Sequence, residues 1–228
     1  MPASLRFDII SIGCLSRNKL WGETDVVRTP HATTTLIRSG QRNILVDPGL
    51  PPVVLTARLQ ERTGLRCEQI DTIFLTNFRP SHRGGLAAFP KARVLLHERE
   101  QQSTHERLEG WIAQAPPDDI DRKLLVNELR LLDSMHVADD KLVDNVDLFP
   151  LPGYSEGTCG LLLSLPTLTV LLAGDAVPTQ DHFLAGQTLP DAQDFAAALE
   201  ALREVYEIAD LIIPGHDNLF LNPRTQGM

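Results

Sequence analysis

The stretch LTNFRPSHRGG, Leu75 to Gly85, decides how this chain is read. It follows IDTIFLT, from Ile70, whose β-branched and apolar residues mark a strand, and it closes on two glycines that open a helix. Thr76, Asn77, Arg79, Ser81 and His82 therefore stand just past a strand end. On the N-terminal side, FDIISIG from Phe7, TTTLIRSG from Thr33 and NILVDPG from Asn43 have the same character, and ARVLLHE from Ala92 follows. A second series comprises VDLFPLPG from Val146, GLLLSLP from Gly160, LTVLLAGD from Leu168 and ADLIIPGH from Ala209, each bounded by Gly, Pro or Asp.

Helical patterns fall between these runs. Prolines open and Gly64 closes a segment from Pro51 that carries Leu55 and Leu59 on one face. A second helix is predicted from an Asp191 cap, with Phe195, Ala198, Leu199, Leu202 and Tyr206 on one stripe. The charged stretch from about 98 to 141, with Leu125, Leu129 and Leu132 in phase after an Asp118 cap, predicts a helical insertion. Strands followed by helices in each half, without a linker or repeat, predict one α/β domain over residues 1–228: two packed sheets with helices outside.

Hydrophobic residues make up 43% and charged residues 22% of the 228, as in an ordinary globular protein. The formal net charge of −9 disfavours nucleic acid and anionic membranes as partners, because both need clustered Lys and Arg. No run approaches the roughly 18 apolar residues of a membrane span, and MPASLRFDIISIG lacks a signal-peptide layout, which predicts a cytoplasmic protein. Cys14, Cys67 and Cys159 are odd in number and widely spaced, so reduced cysteines in apolar surroundings are expected, with none beside a convincing base. Composition leaves the oligomeric state open.

The segment from Leu75 resembles the T-H-x-H-x-D-H-x-G-G motif of the metallo-β-lactamase superfamily, aligned on Thr76, His82, Gly84 and Gly85. NILVDPGL, LPGYSEGTCG, LLAGDAVPT and LIIPGHD are similar to further family signatures in the same order. The resemblance runs from about Phe7 to His216 and implies a four-layer αββα sandwich with its site along one edge. It also implies two metals sharing a bridging aspartate, here Asp175, with Asp47 orienting a metal-binding histidine.

Residue by residue, the first metal site falls on Asn77, Arg79 and Tyr154, an amide, a guanidinium and a phenol in place of three imidazoles. A fixed cation and a neutral phenol are not zinc ligands at pH 7. A dication about 4 Å from Arg79 would be repelled by roughly 8 kcal/mol at an effective dielectric of 20. The second site keeps His82, Asp175 and His216, with Ser81 in place of an aspartate, which suits at most one zinc or iron ion.

Two functional readings follow. One is a hydrolase of an ester, lactone or thioester in which Arg79 and Tyr154 hold the oxyanion beside a single metal. The other is a pseudoenzyme whose polar cluster stabilises the pocket without metal, with Asp175 paired to Arg79 and His216, and which binds a small polar molecule or a protein partner. Asn77, Ser81 and His182 are the expected substrate-binding residues in either case. His31, His97, His105 and His136 match no ligand position.

Overall fold

The computed structural model describes residues 5–227. In chain order it contains β1 (Arg6–Ser11), β2 (Thr34–Ser39), β3 (Arg42–Val46), α1 (Pro52–Thr63), β4 (Thr72–Phe74), α2 (Pro80–Arg83), β5 (Arg93–Leu96), α3 (Glu98–Gln114), α4 (Ile120–Asp133) and β6 (His136–Val137). There follow β7 (Lys141–Val143), β8 (Val146–Pro150), β9 (Cys159–Ser164), β10 (Thr169–Gly174), α5 (Gln180–Ala185), α6 (Phe195–Ile208), β11 (Leu211–Pro214) and β12 (Phe220–Leu221). The first sheet runs β1-β2-β3-β4-β5-β6 and the second β12-β11-β10-β9-β8-β7. Pairing from β3 through β6 is parallel, as is β10 with β11; the other pairs are antiparallel.

The strand runs are apolar at nearly every position because both faces are covered. Side chains alternate across a strand, so Ile37, Ile44, Val46 and Phe74 turn inward to meet Val170, Leu172, Leu161 and Ile213 of the other sheet. Their neighbours Leu36, Leu45 and Ile73 turn outward onto Leu55 and Leu59 of α1, Leu108 of α3 and Leu132 of α4. On the far side, Leu171 and Ile212 meet Phe183 of α5 and Ala201, Leu202 and Val205 of α6. This is the αββα layering that the resemblance implies.

Helix α1 follows its sequence signals, with proline at its start and Gly64 in the left-handed region at φ 73°. Three expectations change. Helix α6 is capped by Asp194, whose carboxylate accepts the Ala197 N–H, and Asp191 turns elsewhere. Its buried face is Ala198, Ala201, Leu202 and Val205, while Phe195, Leu199 and Tyr206 are exposed, because small residues let the helix lie close to the sheet. The cap of α4 is Asp119 and not Asp118. The stretch expected as a helical insertion delivers α3 and α4 and then β6, which pairs with β5 and completes the first sheet. Among the described residues, no helix is long and apolar enough to cross a membrane.

Candidate active site

The site is built from strand ends. Parallel β10 and β11 end together, which delivers Asp175 and His216 side by side. Backbone bonds from Cys159 N to Thr76 O (2.9 Å) and from Thr33 N to Gly215 O (2.7 Å) tie the two sheets at this edge. Pro80 opens the single turn of α2 that carries His82, and a Cβ on Gly84 would come within 2.6 Å of the Gly49 carbonyl oxygen, so only glycine lets this turn press against the loop after β3. Gly174 adopts φ +53°, and a Cβ there would stand 2.4 Å from Thr76 Oγ1, so the strand end before Asp175 needs glycine for both backbone and space.

Asp47 stands at φ 49°, a backbone region that Asp visits more readily than most residues. Its Oδ1 accepts the Thr76 N–H at 2.9 Å, and its Oδ2 accepts the Thr76 hydroxyl at 2.7 Å and lies 3.0 Å from His82 Nδ1. The carboxylate therefore fixes the His82 ring and aims Nε2 at Asp175. His82 and Asp175 are fully buried and His216 nearly so.

Asp175 is the hub. Its Oδ2 lies 3.1 Å from His82 Nε2, accepts Asn77 Nδ2–H at 3.0 Å and faces Arg79 Nη1 at 3.5 Å. Its Oδ1 is 3.0 Å from His216 Nε2, yet neither of these buried atoms has an aligned hydrogen bond among the described residues. The Nδ1 of His216 is held by the His31 carbonyl at 3.0 Å, so Nε2 is the nitrogen presented to the site. Burial opposes charge on His82, but Asp47 and Asp175 more than offset it and raise its pKa to about 10. Burial likewise opposes ionisation of Asp175, and His82 and His216 nevertheless hold its carboxyl well below the usual range.

Arg79 and Tyr154 form a second group beside the hub. The guanidinium stacks 4.6 Å from the centre of the Tyr154 ring and donates through Nη2 to Asp191 Oδ2 at 2.7 Å. The Tyr154 hydroxyl donates to the same oxygen at 3.2 Å. Burial, with Asp175 adding to it, pushes the phenol far up, so it stays a donor at neutral pH. Asn77 Oδ1 accepts the Arg79 N–H at 3.0 Å, which fixes its amide with Nδ2 toward Asp175.

Every expected site residue thus lies in or beside one cluster. Ser81 and His182 line a cavity of about 430 Å³ over His216. His182 is held by Thr179, with Nδ1 2.8 Å from the hydroxyl, and burial lowers its pKa. Sequence reading missed Asp191, taken for a helix cap; the available signal was a second aspartate at Asp194, one more than a single cap needs. It also missed Arg17 and Lys19, which line the same cavity from the loop after β1. Cys14, expected to lack a neighbouring base, has Sγ 3.5 Å from His31 Nδ1, but burial raises its pKa and the thiol form persists. Cys159 is buried as expected, while Cys14 and Cys67 are half-buried.

Asn77, Arg79 and Tyr154 do not fit a metal, since Arg79 and Tyr154 donate to Asp191 and the Asn77 amide donates to Asp175 while its oxygen accepts the Arg79 N–H. His82, Asp175 and His216 do: their ligand atoms lie within 4.8 Å of one another, and the unaligned pair at Asp175 Oδ1 and His216 Nε2 suits two atoms sharing a third partner.

A family profile described as the metallo-β-lactamase superfamily matches residues 28–216, and the chain belongs to that superfamily. The sequence has no match among curated proteins. Among solved structures, the dizinc quorum-quenching lactonase AidC is similar at TM-score 0.67 and 16% identity, over 83% of this chain and 74% of that one. The hydrolase AbOPH is similar at TM-score 0.65 and 15% identity, over 97% and 92%. An AiiA mutant from B. thuringiensis with N-decanoyl-L-homoserine at its active site is similar at TM-score 0.62 and 19% identity, over 95% and 94%. At these identities the likeness is one of fold.

Proposed function

We propose that the chain works as one metallo-β-lactamase-like domain that hydrolyses an ester, lactone or thioester with at most one metal ion, zinc or iron, held by His82, Asp175 and His216. The observation that carries this is the convergence of two imidazole nitrogens and a carboxylate within 4.8 Å, with Asp175 Oδ1 and His216 Nε2 buried and unaligned. An ion held there supplies Lewis acidity and brings the ionisation of water toward neutral pH.

The chain's own residues do the rest. Asp47 holds the His82 ring, and Asn77 holds the Asp175 carboxylate. Arg79 and Tyr154 present an N–H fork and an O–H to the oxygen that gains charge as water oxygen bonds to the carbonyl carbon. Collapse breaks the bond from that carbon to the leaving oxygen or sulfur, which departs with a proton as alcohol or thiol. Ser81 and His182 line the cavity through which substrate arrives. The lactonases among structures of this fold make ester-type bonds the first class to test.

A second reading rests on a different observation. Oδ2 of Asp175 already gathers Asn77, His82 and Arg79, so the buried carboxylate is neutralised without an ion, as a catalytically inactive binding protein requires. Elemental analysis of protein purified without added metal, with a screen of nitrophenyl esters, lactones and thioesters, separates the two. The hydrolase reading expects up to one ion per chain and turnover lost in His216→Ala. Metal-free protein that takes up no zinc and turns over none of these substrates would leave the binding reading.

A further inference from the structure

We propose that the substrate carries a carboxylate, and that Asp191 occupies its place in the free protein. The inference rests on the hydrolase reading for the bond that is cleaved, but the recognition of the anion stands on separate residues.

The cavity over His216 is basic in a chain of net charge −9: Arg17, Lys19 and Arg79 line it against the single carboxylate of Asp191. Its remaining lining sets apolar residues, among them Leu15, Pro30 and Leu189, beside Ser81, His182 and His216, so the cations face a partly apolar concavity where an anion gains from each of them. The Arg79 fork is held in advance by stacking on Tyr154, and one oxygen of Asp191 accepts from both the guanidinium and the phenol. Those two donors therefore already hold a carboxylate oxygen in the free protein.

The Asp191 side chain is 56% exposed and lies on the loop between α5 and α6, away from any regular element. An ion pair so exposed contributes little and exchanges readily. A substrate carboxylate arriving from the cavity takes over the Arg79 Nη2 donor, Asp191 swings to solvent and frees the Tyr154 O–H for the oxyanion, and Lys19 and Arg17 add long-range attraction.

Isothermal titration calorimetry on the full chain, with succinate, the neutral succinamide and inorganic phosphate as probes, tests this. Succinate should bind and succinamide should not. Asp191→Asn keeps the shape but removes the internal competitor, so it should tighten succinate binding about 3- to 5-fold, the range of one exposed ion pair. Arg79→Gln should weaken it about 10-fold or more. Lys19→Gln, at an exposed position where folding is not at risk, should weaken it about 2- to 3-fold and flatten its salt dependence. Weaker or unchanged binding in Asp191→Asn would make that residue a mere support for Arg79 and overturn the proposal, as would equal binding of succinamide or a preference for phosphate. Succinate binding without hydrolysis of mono-4-nitrophenyl succinate removes the hydrolase reading alone. Hydrolysis of neutral 4-nitrophenyl acetate without succinate binding removes the anion proposal alone.

Discussion

Replacing Arg79 by glutamine should increase zinc affinity, and the geometry sets the size of the gain. The guanidinium is 3.5 Å from Asp175 Oδ2, and a metal–carboxylate bond is about 2 Å long, so a dication on Asp175 stands roughly 4–5 Å from the fixed charge. Two charges against one at that separation repel by about 7 kcal/mol at an effective dielectric of 20 and by about 2 kcal/mol in water. The Arg79 side chain is 35% exposed, and Asp191 neutralises part of its charge, so the lower end applies. A gain of about 2–3 kcal/mol is roughly 30- to 150-fold in affinity. Competition against a chromophoric chelator reads this directly, with far-UV circular dichroism to check the fold. An Arg79→Gln protein that is folded but binds zinc no more tightly than wild type would refute the argument that this charge limits the site.

Further outcomes are expected. Asp47→Ala leaves the Thr76 N–H and the His82 ring without their buried partner, and should cost about 2–4 kcal/mol in urea denaturation. In the metal-free protein His82, whose pKa is raised to about 10, contributes stability that is fully present below pH about 6.5 and lost as pH rises through 10, so melting temperatures should fall across that window and His82→Gln should flatten the alkaline part of the profile. Gly174→Ala should destabilise by about 1–3 kcal/mol in the same assay, because it pairs an unfavourable φ of +53° with a clash on Thr76. The combination Asn77→His, Arg79→His, Ser81→Asp and Tyr154→His should bind two zinc ions by calorimetry, with a gain larger than the sum of the single changes; a folded variant that gains no second ion would mean the pocket has been remodelled beyond its ligands.

The architecture was legible because burial on both faces writes itself into the strands: Leu36 and Ile37, or Leu171 and Leu172, must both be apolar when one faces a helix and the other the opposite sheet. Helix α6 was less legible. Half of its buried face is alanine, Ala198 and Ala201 beside Leu202 and Val205, and a periodicity weighted by large residues favours Phe195, Leu199 and Tyr206, which are exposed. At the site, the order of motifs located Asp47, His82, Asp175 and His216 because each sits at a strand end or in the turn that follows one. Asp191 was not legible as a partner, since 112 residues separate it from Arg79 and the local pattern offers a cheaper explanation as a cap. The fan of donors on Asp175 is likewise a product of three chain segments meeting, which no single stretch records.

That fan gives a structural role to the arginine at the position where the resemblance implies a metal ligand. Asp175 is fully buried with its neighbours Asp47 and Thr76 beneath it, and a buried carboxylate without positive charge nearby would take up a proton or destabilise the fold. Where two metals are bound, they supply that charge. Replacing the ligands of one metal by neutral residues alone would leave the aspartate undercompensated whenever the other ion is absent. His82 and His216 hold the Asp175 carboxyl well below the usual range, and Arg79 faces the same carboxylate at 3.5 Å beside them. The guanidinium expected to lower metal affinity should therefore also help the pocket keep its shape in the metal-free protein. Arg79→Gln should accordingly move two quantities in opposite directions, raising zinc affinity while lowering the stability of the apoprotein by about 1–3 kcal/mol, and chemical denaturation with and without chelator measures both on one sample. A variant whose apoprotein is as stable as wild type would show that Asn77 and the two histidines suffice, and would leave Arg79 without a structural reason for its place.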